Sequence, residues 1–180
     1  MHEILITKIT TINAAHAAIK STIGAKTLLK ASLFDIYSWE HSISRTQLFW
    51  IEMQNIPTFV SVHLVRHKIG VEHFVFSNRI DRGGSGKEDR YTPVTHSMMI
   101  NADALIKIAK ARLCFKASKE TRQVVFDMKE KIKTVDESLY DFLLPNCFHQ
   151  GLICKEPKPC GRYPVKKWKN FIYTLPTVVV

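Results

Sequence analysis

The sequence predicts a single α+β domain in which a mixed or antiparallel sheet packs with helices. Short segments that alternate apolar with polar residues, rich in β-branched and aromatic side chains, predict the strands. Segments with apolar residues at helical spacing lie between them. The 180 residues suit one domain with a core of useful size. We therefore expect one domain over 1–180, with a basic tail rich in Pro and Cys from about residue 145.

The N-terminal part predicts two strands separated by a helical segment. Residues 2–12 alternate and are rich in Ile and Thr, which indicates the first strand. A segment with helical spacing follows over 13–34, interrupted near Gly24. Residues 47–54 alternate again, which indicates the second strand.

A second helix is predicted directly after that strand. Asn55-Ile56-Pro57 is typical of a helix start, with Asn55 as the cap and Pro57 in the first turn. This helix is expected to reach about Lys68, and residues 71–76 are β-type.

The strongest helical segment covers residues 101–132. Asn101 is the predicted cap, and Asp103 lies in the first turn, where the helix dipole favours negative charge. Unbroken, this helix would be about 45 Å long, so we expect a bend or a short break.

The positive charge of the chain indicates partners that carry negative charge. The sequence has 26 Lys and Arg against 16 Asp and Glu, a formal charge of +10. A phosphorylated small molecule, a nucleic acid or an acidic protein would each suit this excess. No apolar run reaches the roughly 18 residues of a membrane span, and the N-terminus lacks a signal-peptide pattern. We expect a cytoplasmic protein with no membrane partner.

The cysteines leave two interpretations open. Cys147, His149, Cys154 and Cys160 are four possible zinc ligands within a short stretch. Their spacing contains no CxxC pair, so the pattern fits either a structural zinc ion or reduced thiols in turns and the core.

Two segments together resemble the flavin-dependent thymidylate synthases. That family has an Arg-His-Arg triplet at a helix end, followed by a segment that reads N-E-x-S-x-R-Y. Here the predicted helix ends in Arg66-His67-Lys68. Ser77 and Arg79 repeat the S-x-R spacing if one residue is inserted.

The second segment matches without a gap. The family helix reads approximately N-x-R-S-L, then Arg, then A-x-x-E-I-R. The residues at matching intervals here are Asn101, Leu105, Arg112, Ala117, Glu120 and Arg122. The sequence departs from the family where Lys68 replaces the last Arg of the triplet and where Asp103-Ala104 replaces Arg-Ser.

The resemblance implies an enzyme and its ligands. Members of this family are homotetramers with active sites at subunit junctions, and they bind FAD without a Rossmann fold. They reduce the flavin with NADPH and take a one-carbon unit from methylenetetrahydrofolate. They deliver it as a methyl group to C5 of dUMP.

The resemblance also implies roles for individual residues. Flavin contacts are implied for Arg66, His67, Lys68 and Asn101. Binding of the dUMP phosphate is implied for Ser77 and Arg79. Arg112 would bind the nucleotide beside its pyrimidine and act in catalysis, because a fixed cation stabilises the anionic ring formed as C5 attacks its electrophile.

Other functions stay open. The same scaffold could hydroxymethylate a deoxypyrimidine monophosphate by ending the one-carbon transfer with water instead of hydride. A non-catalytic module that binds nucleotides or single-stranded nucleic acid is a further alternative, since the tail interleaves aromatic and basic residues. These tail residues are Tyr163, Lys166, Lys167, Trp168, Lys169 and Phe171.

Overall fold

A four-stranded antiparallel sheet organises the fold, which confirms the predicted α+β class. The computed structural model describes residues 2–23, 30–76, 79–84, 86 and 89–162. The strands are β1 Glu3–Lys8, β2 Leu48–Pro57, β3 Val71–Val75 and β4 Pro93–Asn101. Their order is β1-β2-β4-β3, and every neighbouring pair is antiparallel.

Helices cover one face of the sheet. Within the described ranges they are α1 Ile12–Ile23, α2 Leu33–Ser38, α3 Thr58–Leu64, α4 Ala102–Arg112, α5 Lys119–Val135, α6 Glu137–Tyr140 and α7 Asn146–His149. The covered face carries the fully buried side chains of Phe49, Ile51 and Met53 from β2 and of Met98 and Ile100 from β4. These side chains alternate along their strands, so burial of one sheet face fixes the register of the ladder.

The opposite face of the sheet is exposed and partly apolar. Trp50 and Phe74 stack with their ring centroids 5.4 Å apart, and Met99 lies directly across the ladder from Trp50. We call Leu5, Trp50, Phe74 and Met99 the open sheet face. None of the helices in the described ranges combines the length and apolarity that crossing a bilayer requires.

The predicted helix start at Asn55 was wrong. Strand β2 continues to Pro57, and α3 begins only at Thr58, with Pro57 as its N-cap residue. Asn55 instead lies at an irregularity of the β2–β4 ladder and has a positive φ of 57°. Asparagine tolerates this left-handed conformation, so the residue makes a strand bulge here rather than a helix cap. Helix α3 also ends at Leu64, before the predicted boundary at Lys68.

The predicted break in the long C-terminal helix is confirmed. Helix α4 ends at Arg112, and a six-residue linker over 113–118 leads into α5. Asn101 caps α4 as predicted, and Ser118 caps α5 by accepting from the backbone N–H of Thr121. The break therefore places Arg112 at the end of a helix instead of in its middle.

Candidate functional site

Arg112 connects the C-terminus of α4 to the end of α3. Its Nε donates to Nε2 of His67 at 3.0 Å, and Nη2 donates to the carbonyl oxygen of His63 at 3.0 Å. A guanidinium only donates hydrogen bonds, so Nε2 of His67 is the acceptor and the neutral ring carries its proton on Nδ1. The second residue of the predicted triplet and the predicted catalytic arginine are therefore in direct contact.

Three arginine side chains, those of Arg66, Arg90 and Arg112, lie close to His63. Burial lowers the pKa of His63, and the charges of Arg112, Arg66 and Arg90 lower that pKa further. The pKa of Arg112 is lowered by burial and by Arg66. None of the three arginines forms an ion pair with a described residue. Like charges held together repel one another, and an anionic ligand would relieve that repulsion.

The same environment keeps His67 neutral. Its pKa is lowered by burial first, and then by the charge of Arg112 and by His73. With Nε2 occupied by Arg112, the neutral ring has only its Nδ1–H to offer to another group.

A cleft of about 380 Å³ opens beside Arg112. Basic residues dominate its charged lining, with Lys107, Lys110 and Lys116 against Glu156. Lys107 is held by Asp103 at 2.8 Å and Lys110 by Glu40 at 2.8 Å. Lys116 is exposed and forms no ion pair with a described residue, so it adds an unbalanced positive charge to the cleft.

A chain of hydrogen bonds fixes the loop that carries His67. His73 of β3 hydrogen-bonds through Nε2 to the carbonyl oxygen of His67 at 2.8 Å, and through Nδ1 to Nε2 of His96 at 2.9 Å. Nδ1 of His96 meets the hydroxyl of Ser61 at 3.0 Å. The carbonyl accepts only, so His73 donates to it; with neutral rings, His96 then donates to His73 and accepts from Ser61. Sequence reasoning missed this chain because β4, which holds His96, was not predicted.

Acid is expected to destabilise the fold through His96. The ring is fully buried, and burial together with His73 lowers its pKa to about 4. The unfolded chain takes up this proton near pH 6.5 and the native chain only near pH 4, so stability falls as pH drops through that window. We expect His96 to contribute a loss of about 2 kcal/mol. Urea unfolding at pH 7 and pH 4.5 measures it.

A variant is needed to separate the contribution of His96 from those of His63 and His67. The pKa values of both are also lowered, so they too make the fold less stable in acid. His96→Gln should lose less stability than the wild type between the two pH values. His41→Gln, at an exposed position, should keep the wild-type loss. Equal losses in all three proteins would show that His96 makes no contribution to the pH dependence of stability.

Asn101 has a structural role in the described residues. Its Oδ1 accepts from the N–H of Ala104 at 2.9 Å, which caps α4. Its backbone N–H donates to the carbonyl of Gly70 at 3.0 Å. Gly70 has a φ of 76°, and a Cβ there would overlap the Asn101 side chain. The loop after the triplet and the start of α4 are therefore in tight contact.

The other predicted site residues occupy different surroundings. Lys68 is exposed at the end of the triplet. Arg79 is exposed and forms two hydrogen bonds with Asp81, at 2.9 and 2.8 Å. Ser77 and the aromatic and basic tail residues beyond Arg162 lie outside the described residues.

The structure places three of the four predicted zinc ligands together and the fourth, His149, apart from them. Nε2 of His149 bonds to the carbonyl of Phe142 at 3.1 Å. Cys147, Cys154 and Cys160 instead line one small cavity, and the fourth cysteine of the chain lines it with them.

Arg90 was given no role in the predicted site, although Arg90 and Tyr91 could supply the end of the family motif after the glycine loop. Its guanidinium lies 4.6 Å from the ring centroid of Phe59 on α3, and the rings of Phe59 and Tyr91 are 5.4 Å apart. This packing holds Arg90 beside His63. In the sequence, the position of Arg90 after an irregular loop is the indication that it could belong to a site.

The sheet and its helical cover form the fold that solved flavin-dependent thymidylate synthases have. A thymidylate synthase X (ThyX) from Helicobacter pylori, solved with FAD and dUMP, is similar at a TM-score of 0.64 and 14% identity. The match covers 79% of this chain and 99% of that one. A second flavin-dependent ThyX structure from Helicobacter pylori, complexed with FAD and dUMP, has a TM-score of 0.66 and 13% identity over the same shares.

A third solved structure has the same fold. The UMP/dUMP methylase PolB from Streptomyces cacaoi, bound with 5-Br dUMP, has a TM-score of 0.58 and 13% identity over 78% of this chain and 94% of that one. No protein-family profile and no curated protein matches the sequence. At these identities the similarity establishes the fold, and function has to be argued from the site.

Proposed function

We propose that the chain is a flavin-dependent enzyme that transfers a one-carbon unit, as a methyl group, to C5 of dUMP. The observation that carries the proposal is the set of guanidinium groups of Arg66, Arg90 and Arg112 close to His63, none of which forms an ion pair with a described residue. Structures with this fold have been solved with FAD and with dUMP or a bromo derivative of it. FAD carries a diphosphate and dUMP a monophosphate, which are the anions that arginine forks bind.

The residues present fit a flavin cofactor. Arg66, His67 and Lys68 would hold FAD, with the neutral Nδ1–H of His67 as a donor to one of its acceptor atoms. Asn101 would approach the cofactor with its Nδ2, which makes no hydrogen bond with a described residue. When bound, FAD supplies the redox chemistry, and the protein supplies position and charge. NADPH and methylenetetrahydrofolate are the proposed co-substrates.

Arg112 would serve the nucleotide. Two of its donors are used by His67 and the His63 carbonyl, which fix the plane of the guanidinium. Its remaining N–H groups can face the pyrimidine, where a fixed positive charge stabilises negative charge developing on the ring. Ser77 and Arg79 are proposed to bind the phosphate of dUMP, Arg79 by exchanging its contact with Asp81.

The visible absorption spectrum tests the proposal. Purified protein should show a protein-bound flavin spectrum, as isolated or after FAD is added and excess removed, and dUMP should perturb it. With NADPH and methylenetetrahydrofolate, dUMP should then gain a methyl group. Failure to retain FAD would overturn the proposal. A product heavier by one further oxygen would instead identify hydroxymethylation on the same scaffold.

We also propose that the open sheet face is where copies of this chain assemble into a homotetramer, in the cytoplasm. Trp50 is 37% and Phe74 52% exposed, and large aromatic side chains clustered on one face are typical of interfaces. The double variant Trp50→Glu/Phe74→Glu should reduce the assembly to smaller species, because burying the new carboxylates is costly. Light scattering after size exclusion measures the mass.

A matched control is Phe126→Glu, at a 47% exposed position on α5. This variant should keep the wild-type mass. A wild-type chain that is monomeric at micromolar concentration, or a double variant that still assembles fully, would contradict the assignment of this face.

A further inference from the structure

We propose that the four cysteines of this chain form a structural site for one Zn²⁺ ion. The chain has four cysteines, and all of them line a single cavity of about 30 Å³. They reach it from separate parts of the sequence. Cys114 lies in the linker between α4 and α5, Cys147 on α7, and Cys154 and Cys160 in the segment that follows.

Four thiolates are a ligand set that structural zinc sites use. The rest of the cavity wall is largely apolar, with Phe115, Pro145 and Phe148. Cys154 is buried, Cys114 and Cys147 are partly buried and Cys160 is exposed, and sulfur is the main metal-binding atom that this wall offers.

This cavity adjoins the cleft beside Arg112 and shares Cys114, Asn146 and Glu156 with it. A structural zinc ion takes no part in the proposed reaction, so the proposal goes beyond the proposed function.

The turn after Cys147 has a geometry that needs an external constraint. N–H groups of Gln150 and Leu152 both donate to the carbonyl of Cys147, at 3.2 and 2.8 Å. Gly151 and Leu152 have positive φ values of 66° and 64°. A leucine rarely adopts this conformation, and it persists where the surroundings impose it.

Hydrophobic burial does not hold the segment over 151–162. It contains no helix or extended strand, and Cys154 is its only buried residue. Small loop-rich segments without a core are commonly fixed by disulfides or by a metal. A cytoplasmic chain keeps its thiols reduced, which favours the metal.

The charge around the cavity suits the bound ion. Zn²⁺ binding to four thiols releases four protons and leaves a centre with a net charge of −2. Lys155 lies in the cavity wall, and Arg162 stacks on Phe115 with its Cζ 3.4 Å from the ring centroid. These cations would balance the centre. Part of the basic excess near the C-terminus thereby gains a role.

Binding has to draw the thiols together. In the described residues, no group of three or more His, Cys, Asp or Glu already surrounds one metal position. All four ligands lie on short or irregular segments, which can move to close the site. His149 is not part of the site, because it does not line the cavity.

Metal content of the full chain, purified without chelators, tests the site. We expect about one zinc per chain by inductively coupled plasma mass spectrometry, and its loss in Cys154→Ser/Cys160→Ser. His149→Ala is the matched control and should keep the zinc. Zinc-free protein, or a double variant with unchanged zinc, would overturn the proposal.

A cobalt titration decides the question if the cysteine variants fail to fold. Co²⁺ added to reduced wild-type protein freed of metal should give the intense absorption of thiolate–cobalt bonds and the visible bands of a tetrahedral ion, and zinc should displace it. Absence of these bands, or four thiols that react equally fast with a thiol reagent with and without zinc, would contradict the site. Neither readout depends on flavin binding.

Discussion

Replacing Arg112 with methionine is expected to lower the affinity for dUMP and kcat/KM by about 100-fold or more. The half-buried guanidinium of Arg112 is held in a fixed direction by His67 and the His63 carbonyl. Methionine keeps most of the length and removes the charge and every donor. Titration of the FAD-loaded protein with dUMP gives the affinity, and product formation gives kcat/KM.

Two further variants make this result specific. Arg122→Met removes a partly exposed arginine on α5 that contacts Phe115, and it should leave both constants near wild type. Arg112→Lys keeps a positive charge but loses the fork, so it should lie between wild type and Arg112→Met. If Arg112→Met matches Arg122→Met, Arg112 has no role in the reaction.

Replacing Asp136 with alanine is expected to destabilise the fold by about 3–5 kcal/mol. The carboxylate is 5% exposed and joins three elements. It accepts from Nζ of Lys8 at 2.7 Å, from the hydroxyl of Tyr37 at 2.7 Å and from the N–H of Leu139 at 3.0 Å. Its loss leaves a lysine and a fully buried tyrosine hydroxyl without their partner, which costs more than the absent bonds themselves. Urea unfolding measures the free energy.

Asp127→Ala is the control for this variant. Asp127 lies on α5 and bonds to His2 at 2.8 Å and to Gln123 at 2.9 Å, at a side-chain exposure of 35%. Partly exposed pairs of this kind contribute about 1 kcal/mol or less. Similar losses in the two variants would show that Asp136 has no special part in joining β1, α2 and α6.

Much of the fold follows from local pattern, but β4, one of the two central strands, does not. β1 and β3 were predicted because their β-branched and aromatic residues alternate. In β4 the buried His96, Met98 and Ile100 alternate with Ser97 and Met99, so the polarity of the two faces is nearly the same. Alternation can be recognised only where one face is polar, which explains why this strand was missed.

The candidate site was predictable only in part, for a similar reason. Arg112 and His67 were singled out by their intervals within two motifs, yet they lie 45 residues apart in the sequence. Their contact depends on how α3 and α4 pack, which no local pattern encodes. The chain from Ser61 through His96 and His73 needs the β3–β4 register as well.

The contact between Gly70 and Asn101 has a consequence for engineering the chain. Position 70 has a left-handed backbone and no room for a side chain beside the α4 cap. In a library randomised at residue 70 and selected for folded protein, glycine should be recovered almost alone. Recovery of alanine would require a smaller residue at 101 in the same clone, so the two positions have to be varied as a pair.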